Sequence, residues 1–363
     1  MAQSVMLPAG SFTIGFVAAR RYGTVQPVQI SVDGTVVGTY SPASASYSPI
    51  TTAAFAVTAG VHSVVFAATD GSSDKTTLID SVVITSTVAT PAVVVAGDID
   101  LTGYTLTFSD EFSALDVTAA NPKGMYRWYA YPPYGPAGNY SASFWNIDAL
   151  SVNDGILYNK AYLGDNAGTE GEHWYSGNLS SVDESGVGFS QLYGYFEARI
   201  KMPDSGEGAW PAFWLSAVNT IPAVSSPAGL HEEIDVVEWY GVTNTLGAEQ
   251  AVVQQASHNW KADGDQDEAA GTFLYSPQTP MPGGAFPWED FHNYGVQVDA
   301  DHITWYIDGW QTNQIATPTA YMNRPFYIML DYALGGGWDL SGMVDGSSMQ
   351  VDWVRAYSLP GSS

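Results

Sequence analysis

Apolar residues in this 363-residue chain recur at every second position, segment after segment, and almost nowhere at the three-to-four spacing of a helix. Side chains alternate across a strand, so such a chain has to bury its apolar half in sheets. Phe12, Ile14 and Phe16 show the pattern, as do Val28, Ile30 and Val32. Asp33-Gly34 then offers a tight hairpin turn before Val36 and Val37. Further runs lie at Phe55–Val57, Val61–Phe66 and Leu78–Ile84. Composition agrees: 22 Tyr and 12 Trp suit pleated surfaces, 37 Gly and 20 Pro suit turns, and only 13% of residues are charged. The expected fold class is all-β, and 45% apolar residues are enough for a sizeable core.

The length suggests two domains. We place an accessory β-sandwich at 1–86, a linker at 87–104 with Pro91 and the run Ala92–Gly97, and a second domain at 105–363. The composition changes at that border, and ten of the twelve Trp lie between 128 and 310. The net charge of −26 argues against a nucleic-acid partner and against docking on an anionic membrane. With no cysteine, disulfides, thiolate metal sites and thiol nucleophiles are excluded. No apolar stretch approaches the ~20 residues needed to span a bilayer, so no membrane insertion is expected. Residues 1–20 show no secretory signal.

The stretch His231-Glu-Glu-Ile-Asp-Val-Val-Glu-Trp-Tyr240 carries the chemistry. On a strand, Glu233 and Asp235 share one face, while regular alternation would send Glu238 into the core. A one-residue bulge at Val236-Val237 would return Glu238 to the acidic face. Four strand steps then separate the two Glu backbones by about 13 Å. Side chains leaning inward reduce this to the ~5–5.5 Å of a retaining glycosidase. Carboxylates this close cannot all ionise, so one should keep a proton to donate. Read alone, three acids on a solvated strand face would look the same.

The neighbourhood adds to the motif. "YSGNLSS" (175–181) and "YGYFEARIKMPDSGEGAWPAFWL" (193–215) precede it, and "DFHNYGVQVDADHITWYIDG" (290–309), "RPFYIMLDYALGGGW" (324–338) and "VDWVRAY" (351–357) follow. In this order the blocks resemble glycoside hydrolase family sixteen, the laminarinase, lichenase and agarase group, over roughly 105–358. The resemblance implies a concanavalin-like β-jelly-roll of two curved antiparallel sheets. It further implies Glu233 as nucleophile, Asp235 as assisting carboxylate and Glu238 as general acid/base, with retention through a covalent glycosyl-enzyme. The N-terminal segment resembles part of a jelly-roll carbohydrate-binding-like module.

Trp210 and Trp214, four apart on a strand, share a face and are candidates for stacking on sugars, with Phe213 opposite them in the core. The resemblance also suggests Glu197, Arg199 and His258 as substrate contacts, and Trp174, Trp260 and Trp338 as weaker ones. An internal Glu197–Arg199 salt bridge is the plainer alternative. The Tyr- and Pro-rich segment 127–140 reads as a long loop. His231-Glu232 lacks the second His of a zinc motif. No cofactor is expected for catalysis, but family members often hold a structural calcium ion, which here implies Glu111 and Asp352.

The expected activity is that of a secreted, monomeric endo-β-glycanase acting on internal β-1,3 or β-1,4 bonds of a polysaccharide. Only 11 basic residues in the chain favour a neutral glucan or a weakly charged bacterial exopolysaccharide over a sulfated galactan. A transglycosylase with the same acids, an exopolysaccharide depolymerase and a non-catalytic glycan-binding protein are the alternatives.

Overall fold

The computed structural model describes residues 1–7, 10–21, 25–57, 60–71, 75–86, 99–135, 141–165, 172–222, 224, 230–242, 251–261, 273–274 and 278–359. Most of the expected linker, residues 87–98, lies outside them. The chain divides into two compact units, Met1–Val93 and Val94–Ser363.

The first unit has two small sheets. One orders Ala2–Leu7, Gly60–Ala68, Val28–Val32 and Thr35–Tyr40, and the other gathers three strands around Gly10–Arg20. Ile14 and Phe16 meet Val28, Ile30, Val32, Val64 and Phe66 in one core. Asp33 and Gly34 turn the hairpin with φ of 52° and 79°, the left-handed pair that matches strand twist. The same Asp-Gly turn recurs in the second unit at Asp154-Gly155 and Asp308-Gly309.

Two eight-stranded sheets make up most of the second unit. The first runs Val117–Thr118, Trp128–Tyr129, Asn178–Ser180, Phe326–Leu334, Ala209–Ala217, Leu230–Glu238, Val252–Lys261 and Gln278–Pro280. The other is centred on Gly194–Lys201 and Ser348–Ser358. Within these two sheets the pairing is antiparallel apart from the short contact of Val117–Thr118 with Trp128–Tyr129. Phe196, Ala198 and Ile200 of one sheet and Phe213, Leu215, Ile234 and Leu330 of the other belong to one apolar core. The Phe326–Leu334 strand is buried along its whole length, in the middle of its sheet.

Segment 127–140 is not a loop from its start. Trp128–Tyr129 is a strand beside Asn178–Ser180, and the buried Trp128 donates its indole N–H to Asp110 at 2.7 Å. Residues 136–140 lie outside the described set.

Candidate active site

The acidic strand, Leu230–Glu238, carries the bulge that its sequence calls for. On one side Trp214 pairs with Asp235 and Phe213 with Val237, leaving Val236 unmatched. On the other, Asp235 pairs with Ala256 and Glu238 with Gln254. Val236 and Val237 therefore both point into the apolar core, while Asp235 and Glu238 emerge on the face that Glu233 occupies. A bulge costs ladder hydrogen bonds, and side chains replace them here. Trp305, from the opposite sheet, donates its indole N–H to the Asp235 carbonyl at 2.9 Å. Gln255 donates to the Val236 carbonyl at 3.3 Å.

Indole N–H groups line this face, each donating to a carboxylate. Trp210 donates to Glu238 Oε1 at 2.7 Å, Trp260 to Glu233 Oε1 at 3.2 Å, and Trp214 to Asp331 Oδ2 at 2.7 Å. The Tyr240 hydroxyl adds a second bond to Glu238 Oε1 at 2.8 Å. Both bonds fall on one oxygen, and among the described residues Oε2 has no partner. His258, opposite Glu233 in register, brings Nε2 to 3.2 Å from Asp235 Oδ2 and stacks on Trp260. The fully buried Tyr321 hydroxyl, 2.7 Å from the Glu233 carbonyl and 2.5 Å from that of His258, ties these two strands together.

Electrostatics follow from this crowding. Burial pushes the Glu233 carboxyl up to about 8, and the negative charge of Asp235 adds to the rise. His258 and the Trp260 N–H pull the other way. Asp235 is held well above the usual carboxylate range by burial, then by Glu238 and Asp331. Asp331 rises to about 7 through burial, opposed by the Trp214 N–H. Crowding buried carboxyls on one face thus raises their affinity for protons.

Beyond Glu238 an aromatic wall continues. Trp210 lies 6.1 Å from Tyr240, which lies 4.5 Å from Trp338, between ring centroids. Gly336, at φ 57°, passes against this pair, and a Cβ there would sit 3.0 Å from the Tyr240 ring and 3.1 Å from Trp210. A larger residue would push the wall open.

The description of the GH16 domain of β-porphyranases A–D matches residues 105–359. The chain belongs to glycoside hydrolase family 16. Among curated relatives, this family-16 chain is 30% identical over 277 residues to the endo-1,3-1,4-β-glycanase ExsH of Rhizobium meliloti (70% of this chain, 51% of the relative). It is 31% identical over 286 residues to EglC, of the same activity and organism (72% and 53%). The chain spans about half the length of these relatives. Of solved structures, the endo-β-1,3-glucanase of Pyrococcus furiosus superposes with TM-score 0.51 at 27% identity, covering 70% of this chain and 94% of that one. The laminarinase catalytic domain of Thermotoga maritima gives 0.53 at 22% identity, covering 70% and 98%, a likeness of fold. The second unit is a family-16 jelly-roll of two antiparallel sheets.

Not every expected contact of this family-16 chain is at the site. Glu197 and Arg199 lie on Gly194–Lys201, in the sheet opposite the acids, and alternate with the core residues Phe196, Ala198 and Ile200. They therefore face away from the acidic sheet and are not substrate contacts. Nor do they pair with each other: Glu197 accepts from the Tyr195 hydroxyl at 2.9 Å, and Arg199 binds Asp352 at 2.5 Å. Trp174 packs against the core. Trp210, Trp214, Trp260, His258 and Trp338 are all brought to the acids or to the wall beside them.

The implied calcium ligands, Glu111 and Asp352, each hold an arginine. Arg355 engages both oxygens of Glu111, at 2.9 and 2.8 Å, while Asp352 is taken by Arg199. Guanidinium groups already neutralise the two carboxylates, so the pair does not fit a calcium cage. Thermal unfolding is expected to be unchanged by EDTA. Arg355→Met should cost about 1 kcal/mol or less, as for an exposed bidentate pair. A midpoint that falls in chelator and recovers with calcium is the contrary result.

Asp331 and Asn178, like Tyr240 beside Glu238, escaped the sequence reading. Asp331 sits on the all-buried strand, opposite Ala212 of the tryptophan strand and Asn178 on its other side. Asn178 is fully buried, and neither amide atom has a partner among the described residues. In a continuous apolar run such as FYIMLDYAL, period two gives no sign of which face the Asp takes.

Proposed function

We propose that the chain is a secreted, retaining endo-β-glycanase that hydrolyses internal β-1,3 or β-1,4 glucosidic bonds of a polysaccharide. The bulge carries this reading, because it puts Glu233, Asp235 and Glu238 on one face, with Glu238 Oε2 lacking a partner among the described residues. Glu238 gives its proton to the glycosidic oxygen while Glu233 attacks the anomeric carbon and forms a glycosyl-enzyme. The leaving sugar departs with that proton. Glu238 then removes a proton from the water that releases the glycan and restores Glu233. Burial and the neighbouring Glu238 and Asp331 favour the neutral form of Asp235 beside Glu233. With Asp235 neutral, one cause of Glu233's raised pKa is gone, and the nucleophile ionises more readily.

An uncharged glycan suits the cleft. Arg127, Arg199, Arg324 and Arg355 each lie beside a carboxylate, namely Asp110 and Asp116, Asp352, Glu232 and Glu111. The described side chains bonded to the carboxyl groups of the four acids are aromatic, or His258. The two Rhizobium relatives are named for 1,3-1,4-β-glycan cleavage, which favours mixed linkages. The matching β-porphyranase description favours a galactan as the second reading. We assign the N-terminal unit a binding or spacer role.

Reducing-end release should be measured on mixed-linkage β-glucan, laminarin, porphyran, agarose, carrageenan and a bacterial exopolysaccharide. Release from a β-glucan is expected, with the β-anomer formed first by proton NMR. Release from porphyran alone transfers the assignment to a galactanase, and an α-anomer removes the retaining mechanism. Products longer than the starting oligosaccharide indicate transglycosylation. Binding without any cleavage leaves a glycan-binding protein.

A further inference from the structure

We propose that Asp331 is a positioning residue of the cleft, which fixes the Trp214 indole as a sugar platform beside Asp235. The inference rests on the glycanase reading and adds to it a residue outside the acidic triad. Three strands create the arrangement. Trp214, on the central one, pairs with Asp235 on one side and with Met329 on the other, two residues from Asp331. Its indole N–H donates to Asp331 Oδ2 at 2.7 Å, and its ring packs against the apolar cluster of Val182, Ile221, Tyr327 and Met329. Trp214 is only partly buried, unlike its strand neighbours Phe213 and Leu215.

A tryptophan held only by apolar contact would keep rotamer freedom, which a bound sugar would have to remove. A hydrogen bond from the indole to a buried, anchored carboxyl oxygen removes that freedom beforehand. Asp331 is itself anchored, since its Oδ1 accepts from the Ala333 N–H at 3.3 Å and the residue is only 5% exposed. Trp210, four residues earlier, is held in the same way by Glu238. That carboxylate has its own part in the proposed chemistry, whereas Asp331 contributes its grip on the indole. The two tryptophans of the strand thus receive separate anchors, from the strands on either side of it.

Asp331→Asn, Asp331→Ala, Trp214→Phe and the double variant Asp331→Ala/Trp214→Phe separate this role from a structural one. The Trp214 indole N–H signal in a 15N-correlated spectrum, identified by its loss in Trp214→Phe, needs no substrate. It should move upfield in Asp331→Ala and only part-way in Asp331→Asn, whose side-chain oxygen still accepts the bond. With mixed-linkage β-glucan, Asp331→Ala and Trp214→Phe should each raise KM by about tenfold with a much smaller change in kcat. The double variant should be no worse than either single one, because both remove the same platform. Asp331→Asn should recover most of the loss. Effects that multiply in the double variant, or an indole signal that stays in place in Asp331→Ala, overturn the proposal while wild-type cleavage leaves the glycanase reading intact. Failure of the wild type to cleave any glycan on the panel overturns that reading, and this proposal with it.

Discussion

Glu233→Gln is expected to lower kcat/KM by about 10⁴-fold or more, the scale on which a covalent nucleophile is lost, and to stabilise the fold at alkaline pH. The two effects have one origin. Glu233 sits in a partly desolvated site next to Asp235, which pushes its carboxyl up to about 8 from an ordinary 4.5. Its folded-state pKa lies above its unfolded one, so between these values the folded protein binds more protons than the unfolded chain. Stability contributed by this group is present at pH 4 and is lost as pH rises towards 8. Glutamine does not titrate. The variant should therefore match the wild type near pH 4 and exceed it increasingly up to pH 8. The ceiling is about 5 kcal/mol, and about 2 kcal/mol is expected because the open side of the site admits water. Urea unfolding of both proteins across this range reads the difference. Parallel stability curves would mean that Glu233 is better hydrated than the structure implies. Full activity in the variant would remove it as nucleophile.

Glu238→Ala should separate the two halves of the reaction. Without the acid, the glycosidic oxygen of a polysaccharide leaves unprotonated, and cleavage should slow by about 10²–10⁴-fold. An aryl β-glycoside whose leaving group needs no proton should form the glycosyl-enzyme at a near-normal rate and then stall, because no base activates the water. A small anion such as azide, which needs no base, should release the intermediate and leave a β-glycosyl azide. Equal losses on polysaccharide and activated substrate, with no azide adduct, would refute the acid/base assignment. Trp210 and Tyr240 both bond Glu238 Oε1. Trp210→Phe is the control, since it removes one of those bonds and leaves the carboxyl in place.

Much of the architecture follows from local rules that the sequence displays. Alternation around Phe12–Phe16 and Val28–Val32 yields the first unit's core, and Asp33-Gly34 yields its turn. In the acidic strand, two consecutive valines between Asp235 and Glu238 call for a bulge, because each valine gains by burial in the apolar core and each acid by standing on the opposite face, away from it. The structure obeys both demands. These features concern neighbours along one strand, where period two suffices.

Position across strands is another matter. Glu197 and Arg199 share a face just as Trp210 and Trp214 do, yet one pair lies in the sheet opposite the acids and the other beside them. Alternation tells which side of its own sheet a residue takes, but not which sheet that is. Glu111 and Asp352 found arginines where a shared cation was expected, since strand pairing brings Arg355 and Arg199 to them. Asp331 was invisible inside an apolar run that is buried throughout. The sequence by itself determined the all-β class, the hairpin turns and the bulged triad, because those depend on side-chain periodicity within short segments. Which acids raise one another's affinity for protons, which tryptophan each carboxylate holds, and how the bulge carbonyls are satisfied by Trp305 and Gln255 were decided only by strand order and sheet packing. These are contacts between residues up to 117 positions apart, and no local pattern encodes them.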